Sequence, residues 1–261
     1  MCLAVIALHQ LPGIPLLIAS NRDEFHARPT APASAWPGEP ALYAGRDLQA
    51  GGTWMGVTDN GRYALLTNYR EGGRQIADAP SRGHLTEAFL RSDACPADYL
   101  ADLAAEGARY NGFNLIVGDR EQSWYYSNRG GVPRALGPGL YGVSNHLLDT
   151  PWPKLTRLKA QVAQALTQPA QPDLAALFDA LRDPQTAPDD LLPQTGVSLE
   201  MERLLSSPFI VSPNYGTRCS SVLFWRDNGS GELHERRFAP DASESGATRL
   251  AFCPQRSPCL N

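Results

Sequence analysis

The sequence predicts an α+β protein built from mainly antiparallel sheets. Three observations carry that expectation. The first twenty residues hold two short apolar runs, CLAVIAL and PLLIAS, joined by HQLPG. Such a pair reads as a hairpin of buried strands. Predicted elements then follow in blocks of strands, helices, strands, helices and strands, rather than as alternating βα units. Finally, no GxGxxG or GxxxxGKS loop occurs, so nothing supports a doubly wound nucleotide-binding sheet.

The first hairpin is expected over residues 2–8 and 15–20. A proline-rich loop is expected next, around RPTAPASAWPGEP. GGTWMGVT and GRYALLTN form a second hairpin across Asp59-Asn60-Gly61, a turn sequence whose glycine supplies a left-handed residue. A helix is expected over residues 83–91. Another begins after Cys95, with Pro96 suited to the first helical position because its missing N–H is not needed there. FNLIVGD, SWYYSNR and LYGVSN read as three further strands. Residues 152–207 are expected to be mainly helical, since Leu155, Leu158, Val162 and Leu166 recur at helical spacing. Pro- and Asp-rich breaks near 168–173 and 183–193 divide that region. SSVLFWRD, LHERRFA and TRLAFCP return to strand, and the tail from about residue 254 reads as loose.

Composition bounds the function. The chain has 261 residues, 43% hydrophobic, and a formal net charge of -4. That length admits a sizeable core, and the whole chain 1–261 is read as a single domain. The charge gives no basic field for nucleic acid. No apolar stretch approaches the roughly 20 residues of a membrane span, and the N-terminal run lacks the basic head of a signal peptide. A soluble cytoplasmic protein is the default expectation. Arginine far outnumbers lysine, which occurs only at 154 and 159. With the many Ala and Pro residues, this suggests a GC-rich bacterial coding bias. The five cysteines form no CxxC pair, so neither a disulfide framework nor a structural zinc site is expected.

The chemistry centres on Cys2. Methionine aminopeptidases remove Met1 when the second side chain is small, which would leave a thiol and a free α-amine on one residue. Such an amine has an unperturbed pKa of about 7.7–8.0 and suits a general base near neutrality. If the hairpin forms, the NRDEF segment brings Arg22, Asp23 and Glu24 beside the N-terminus. The arginine would favour the thiolate, and a carboxylate could orient the amine. Asn68 and Asn145 end two predicted strands, and Arg218 begins another. Asparagine amides make oxyanion donors worth about 2.7–4 kcal/mol each in a transition state. Each feature also has a plainer reading. Cysteine is among the most often buried residues, asparagine is common after strands, and NRDEF could be a solvated turn or an ion-pair network in a scaffold without activity. Trp54 and Trp152 are placed beside the pocket, although a tryptophan is more often core. His146 follows Asn145 but has no histidine partner in sequence. Gly51 and Gly52 could let the chain pass close to a ligand or to the Cys2 strand, or could mark a bulge.

NRDEF, GGTWMGV, LTNYRE, YNGFNLIV, YGVSN with TPWPKL, and YGTR occur in this order. The ordered set resembles the NRDE family, also called the Transport and Golgi organisation 2 family. The resemblance implies an N-terminal-nucleophile (Ntn) hydrolase-like fold, a four-layer αββα sandwich. More distantly the chain is similar to the cholylglycine hydrolase and penicillin V acylase group. That likeness implies Cys2 as nucleophile, Arg22 and Arg218 as the two arginines, and Asn68 and Asn145 as the two asparagines. The group's acid lies three residues after the first arginine, where this chain has Phe25. Asp23 and Glu24 are the available acids. In an extended segment Glu24 shares a face with Arg22, and a turn at Asn21 would change that. Two functions are expected in competition. One is hydrolysis of a non-peptide amide or acyl bond, with no metal and no cofactor required. The other, implied by the family, is binding and trafficking of haem or of a lipid or acyl-CoA in the same pocket.

Overall fold

The computed structural model describes residues 2–167 and 171–253. Two antiparallel sheets stack face to face between two layers of helices. The first sheet has the order β10-β1-β2-β11-β12-β13. Its strands are β1 (Cys2–Leu11), β2 (Ile14–Phe25), β10 (Gly139–Val143), β11 (Tyr215–Trp225), β12 (Gly231–Phe238) and β13 (Glu244–Phe252). The second sheet runs β3-β4-β5-β6-β7-β8-β9. Its strands are β3 (Thr30–Trp36), β4 (Leu42–Asp47), β5 (Met55–Thr58), β6 (Tyr63–Asn68), β7 (Phe113–Gly118), β8 (Ser123–Ser127) and β9 (Arg134–Leu136).

The period of two along β1 sets the layers. Ala4, Ile6 and Leu8 face the second sheet and pack with Met55, Val57, Leu65 and Ile116. Leu3, Val5 and Ala7 face the other way. They meet Leu155, Leu158 and Val162 of α3 (Pro153–Ala165) and Leu177 and Leu181 of α4 (Leu174–Leu181). The outer face of the second sheet, including Ala64, Leu66 and Leu115, carries α1 (Gly83–Arg91) and α2 (Pro96–Glu106) through Phe89, Leu90 and Leu100. The result is the αββα order that the resemblance implied. Each large side chain buried in these layers stabilises the fold by about 1.5–3 kcal/mol.

Several boundaries differ from the sequence expectation. The proline-rich segment is not a loop: residues 30–36 form β3. Pro32, the one proline within it, is tolerated because β3 is the edge of its sheet and its register shifts between Ala31 and Ser34. The chain returns as β4, and β9 is a short strand that no periodicity marks. β2 runs five residues past Ser20, so NRDEF is strand rather than turn. The cause is tertiary, because β11 pairs with this polar stretch through Thr217 to Asp23, Gly216 to Glu24 and Tyr215 to Phe25. The region 152–207 holds α3, α4, a 3-10 turn at Asp189–Leu191 and a short α5 (Leu199–Leu204), and residues 168–170 of the first expected break lie outside the described residues. The tail expected to be loose from residue 254 lies outside the described residues.

Candidate active site

The register of the first hairpin places Cys2 directly opposite Arg22. Both belong to the face that looks toward the second sheet. They stand at the end of a cleft of about 280 Å³, lined also by Asp23, Glu24, Trp54, Asn68 and Arg82. Segments 50–54 and 79–83 complete its wall.

Arg22 is 4% exposed. Its guanidinium lies 4.4 Å above the Trp54 ring, donates to Thr30 Oγ1 at 3.1 Å, and stands 3.5 Å from Asp47 Oδ2. Asp47 closes β4 and also accepts from Arg28 Nε at 2.7 Å. Burial works against the Asp47 carboxylate, but the Arg28 bond and the Ala50 and Gln49 amides hold its pKa below the usual value. Arg22 is therefore fixed by stacking and hydrogen bonding rather than by one close ion pair. Trp54 supports it from below and is itself packed against Gly45, where a Cβ would come within 2.3 Å of the indole.

The Cys2 thiol is raised above its ordinary pKa. Burial is the larger influence, and Asp23 and Glu24 add to it, while the chain's amino terminus and Arg22 oppose it. The sequence led us to expect a lowered thiol because it showed the neighbouring arginine but not the extent of burial. The thiol is thus held as the acid, and a base must remove its proton.

The two carboxylates separate as an extended strand requires. Glu24 shares Arg22's face, with Oε2 3.9 Å from Arg22 and 3.8 Å from Arg28. Asp23 points to the helix side and is 1% exposed. Its Oδ1 accepts from Thr217 Oγ1 at 2.7 Å. Burial raises the Asp23 carboxyl, and Lys154, the amino terminus and the Thr217 bond pull it back.

Asn68 ends β6 and lines the cleft. Asn145 is fully buried behind it and does not line the cleft. Its Nδ2 donates to the Asn68 carbonyl at 3.0 Å, and its own carbonyl accepts from Arg70 N at 2.7 Å. Asn145 thereby braces the end of β6. Arg218 sits at the register shift between Thr217 and Cys219. Its Nη1 donates to the carbonyls of Phe25, His26 and Arg28 at 3.0, 3.2 and 3.1 Å. It shapes the turn that delivers Arg28 to the cleft. Trp152 and His146 form a separate cluster. Their rings lie 5.7 Å apart, Tyr69 lies 4.9 Å from His146, and Arg70 stacks 4.9 Å over Trp152. Burial lowers the His146 pKa.

Sequence reasoning missed Arg28, Asp47, Arg82 and Thr217, which become neighbours only through the sheets. It also missed Arg70 and Glu202, a buried ion pair at 2.8 Å, and Lys154, which is 2% exposed. Lys154 carried a usable signal. It directly precedes Leu155 and lies four residues before Leu158, within the apolar phase of α3. Gly51 and Gly52 serve a different contact from those expected. A Cβ on Gly52 would come within 2.4 Å of the Gly83 backbone, so the glycine lets this segment meet the start of α1.

Comparison with known proteins agrees with the ordered motifs. The family model described as Transport and Golgi organisation 2 matches residues 1–240. The Transport and Golgi organization 2 homolog of Mus musculus is 36% identical over 237 residues, covering 85% of this chain and 86% of its own. The Bos taurus homolog is 37% identical over 239 residues, with the same coverage. Among solved structures, penicillin V acylase from Agrobacterium tumefaciens aligns over 89% of this chain and 82% of its own, with a TM-score of 0.47 and 11% identity. The C2A mutant of conjugated bile acid hydrolase from Clostridium perfringens aligns over 96% and 92%, with a TM-score of 0.46 and 9% identity.

Proposed function

The chain belongs to the Transport and Golgi organisation 2 family, and from its cleft we propose that it is an N-terminal cysteine hydrolase of small polar amides or related acyl compounds. One observation carries this reading. The register sets Cys2 opposite Arg22 at the end of a cleft whose wall also supplies an asparagine. In the proposed reaction Met1 is removed and the Cys2 α-amine becomes the base. The thiol transfers its proton to that amine as sulfur attacks the acyl carbon. The Asn68 amide is the candidate donor to the resulting oxyanion. The C–N bond then breaks, the ammonium returns the proton to the leaving nitrogen, and water hydrolyses the thioester. Asp23 is the better candidate to orient the amine, since it is buried next to Arg22, the cross-strand partner of Cys2, whereas Glu24 is drawn toward Arg22 and Arg28. Arg22 supplies positive charge beside the sulfur. In this scheme Asn145 and Arg218 act indirectly, by bracing β6 and the turn after β2.

The test is steady-state turnover on a panel of acyl amides, comparing wild type with Cys2→Ala after mass analysis has established the state of Met1. Turnover abolished in the variant supports the reading. No turnover in the wild type, or equal turnover in both, overturns it. The competing reading is retention of haem or acyl-CoA, followed by spectral titration and by mass analysis of bound ligand. The cleft fits a porphyrin poorly. No histidine is among the described residues that line it, and those residues include three arginines and three carboxylates.

A further inference from the structure

Three arginines line the cleft, and two of them are compensated. Arg22 and Arg28 share Asp47, at 3.5 and 2.7 Å, and Glu24, at 3.9 and 3.8 Å. The third acid of the wall, Asp23, is turned to the helix side and accepts from Thr217. Arg82 is the exception. It is half-buried, stands immediately before α1, and donates from Nη1 to the Gly112 carbonyl at 2.8 Å. Among the described residues it has no ion pair. The first turn of α1 supplies no acid. Glu87, the first acid of that helix, stands 3.7 Å from Arg91. Glu71 accepts from Arg129 Nε at 3.0 and 2.9 Å. Burial lowers the Arg82 pKa and Arg28 adds to that, while Cys2, Glu24 and Glu71 oppose it. An arginine stays charged regardless. The wall thus carries one positive charge that the described residues do not balance at contact distance. A single carboxylate matches it in charge and suits a planar guanidinium. A doubly charged phosphate would exceed it and would face Glu24 and Asp47 across the same cleft.

After the C–N bond breaks, the acyl group stays tethered to Cys2 while the amine departs. The part that the cleft must hold throughout is therefore the acyl part. We propose that Arg82 binds a carboxylate on the acyl portion of the substrate, so that the amides hydrolysed at Cys2 are monoamides of short dicarboxylic acids. This rests on the Cys2 reading above and adds the acyl class to it. The experiment pairs kinetics with calorimetry on wild type, Arg82→Gln and Arg82→Lys. Arg82→Gln keeps a donor for the Gly112 carbonyl, and Arg82→Lys keeps the charge. Succinyl and glutaryl anilides are compared with their partners in which a neutral carboxamide replaces the carboxylate. Wild type should prefer the carboxylate members about ten- to a hundredfold in kcat/KM, the range for a hydrogen bond to a charged group. Arg82→Gln should lose most of that preference, and Arg82→Lys should retain part of it. No preference in the wild type, or the full preference in a folded Arg82→Gln protein, overturns the proposal. A preference confined to amides whose carboxylate lies on the amine overturns it as well. Titration with succinate and glutarate needs no turnover, and should show saturable binding that Arg82→Gln weakens by about the same factor. Such binding without turnover of any amide removes the hydrolase reading and leaves the carboxylate subsite standing. Turnover without an Arg82-dependent preference does the reverse. Inorganic phosphate bound more tightly than either dicarboxylate, and dependent on Arg82, overturns the carboxylate class. If neither variant folds, crystals of Cys2→Ala soaked with glutarate decide. A carboxylate within hydrogen-bonding distance of the Arg82 guanidinium supports the proposal, and glutarate elsewhere or nowhere overturns it.

Discussion

At the scale of single residues, adjacent carboxylates differ because a strand turns successive side chains to opposite faces. Glu24 stays with Arg22 and Arg28 at the cleft, within reach of water. Asp23 goes to the helix side, where Thr217 holds it and burial raises it. The sequence showed both acids and the face rule, but it could not decide between strand and turn at Asn21. The pairing with β11 decided it. A measurable asymmetry follows. Asp23→Asn should lower kcat by about 10²-fold or more, the usual range for disturbing a proton-transfer group. Glu24→Gln should cost about an order of magnitude less, because Arg22 retains Asp47, Thr30 and Trp54. Turnover on whichever amide the wild type hydrolyses measures both. Thiol alkylation of Cys2 gives the same comparison without a substrate. Equal losses would mean that the amine is oriented from the cleft side.

At the scale of elements, what was legible in the sequence was local. Hairpins with strong turn signals, α1 over Gly83–Arg91 and the Pro96 start of α2 all follow from patterns within a dozen residues. The edge strand β3 was illegible because Pro32 within it and Pro29 and Pro37 beside it break the usual strand pattern, and only its place at the margin of a sheet makes Pro32 acceptable. The GGTWMG segment lies between these cases. Its glycines announce a close approach without saying to what. The approach is between Gly52 and the backbone at Gly83, where Thr53 N also donates to the Gly83 carbonyl at 3.3 Å. This contact fixes the wall of the cleft to α1. Gly52→Ala should therefore destabilise the protein by about 1–3 kcal/mol, the cost of overpacking against atoms that cannot yield. Gly137→Ala is the control, since nothing lies within 4 Å of its added Cβ, and it should stay within about 0.5 kcal/mol. Urea midpoints at constant m-value measure the difference.

At the scale of the whole molecule, the αββα stack explains why the cleft is where it is. The two sheets press together through Ala4, Ile6, Leu8, Met55, Val57 and Leu65. That apolar contact gives way toward the end of the sheets where β1 begins and β6 ends. There the residues become Cys2, Arg22 and Asn68. The same sandwich that builds the core thus ends in a polar notch, and no sequence motif reports its dimensions. At about 280 Å³ the notch sits at the lower edge of ordinary ligand pockets, which begin near ~300 Å³. Its apolar surface is limited to groups such as Trp54, Leu66 and Pro80. Size and polarity together favour a compact acyl group that hydrogen-bonds over a long hydrocarbon chain, which would have to extend into water. Across a series of amides sharing one leaving amine, kcat/KM should fall at least about tenfold, roughly 1.4 kcal/mol in transition-state stabilisation, between short polar acyl groups and long alkyl ones. Protein that instead prefers long alkyl chains would contradict this use of the notch. It would shift the weight to a lipid or acyl-CoA ligand held outside it.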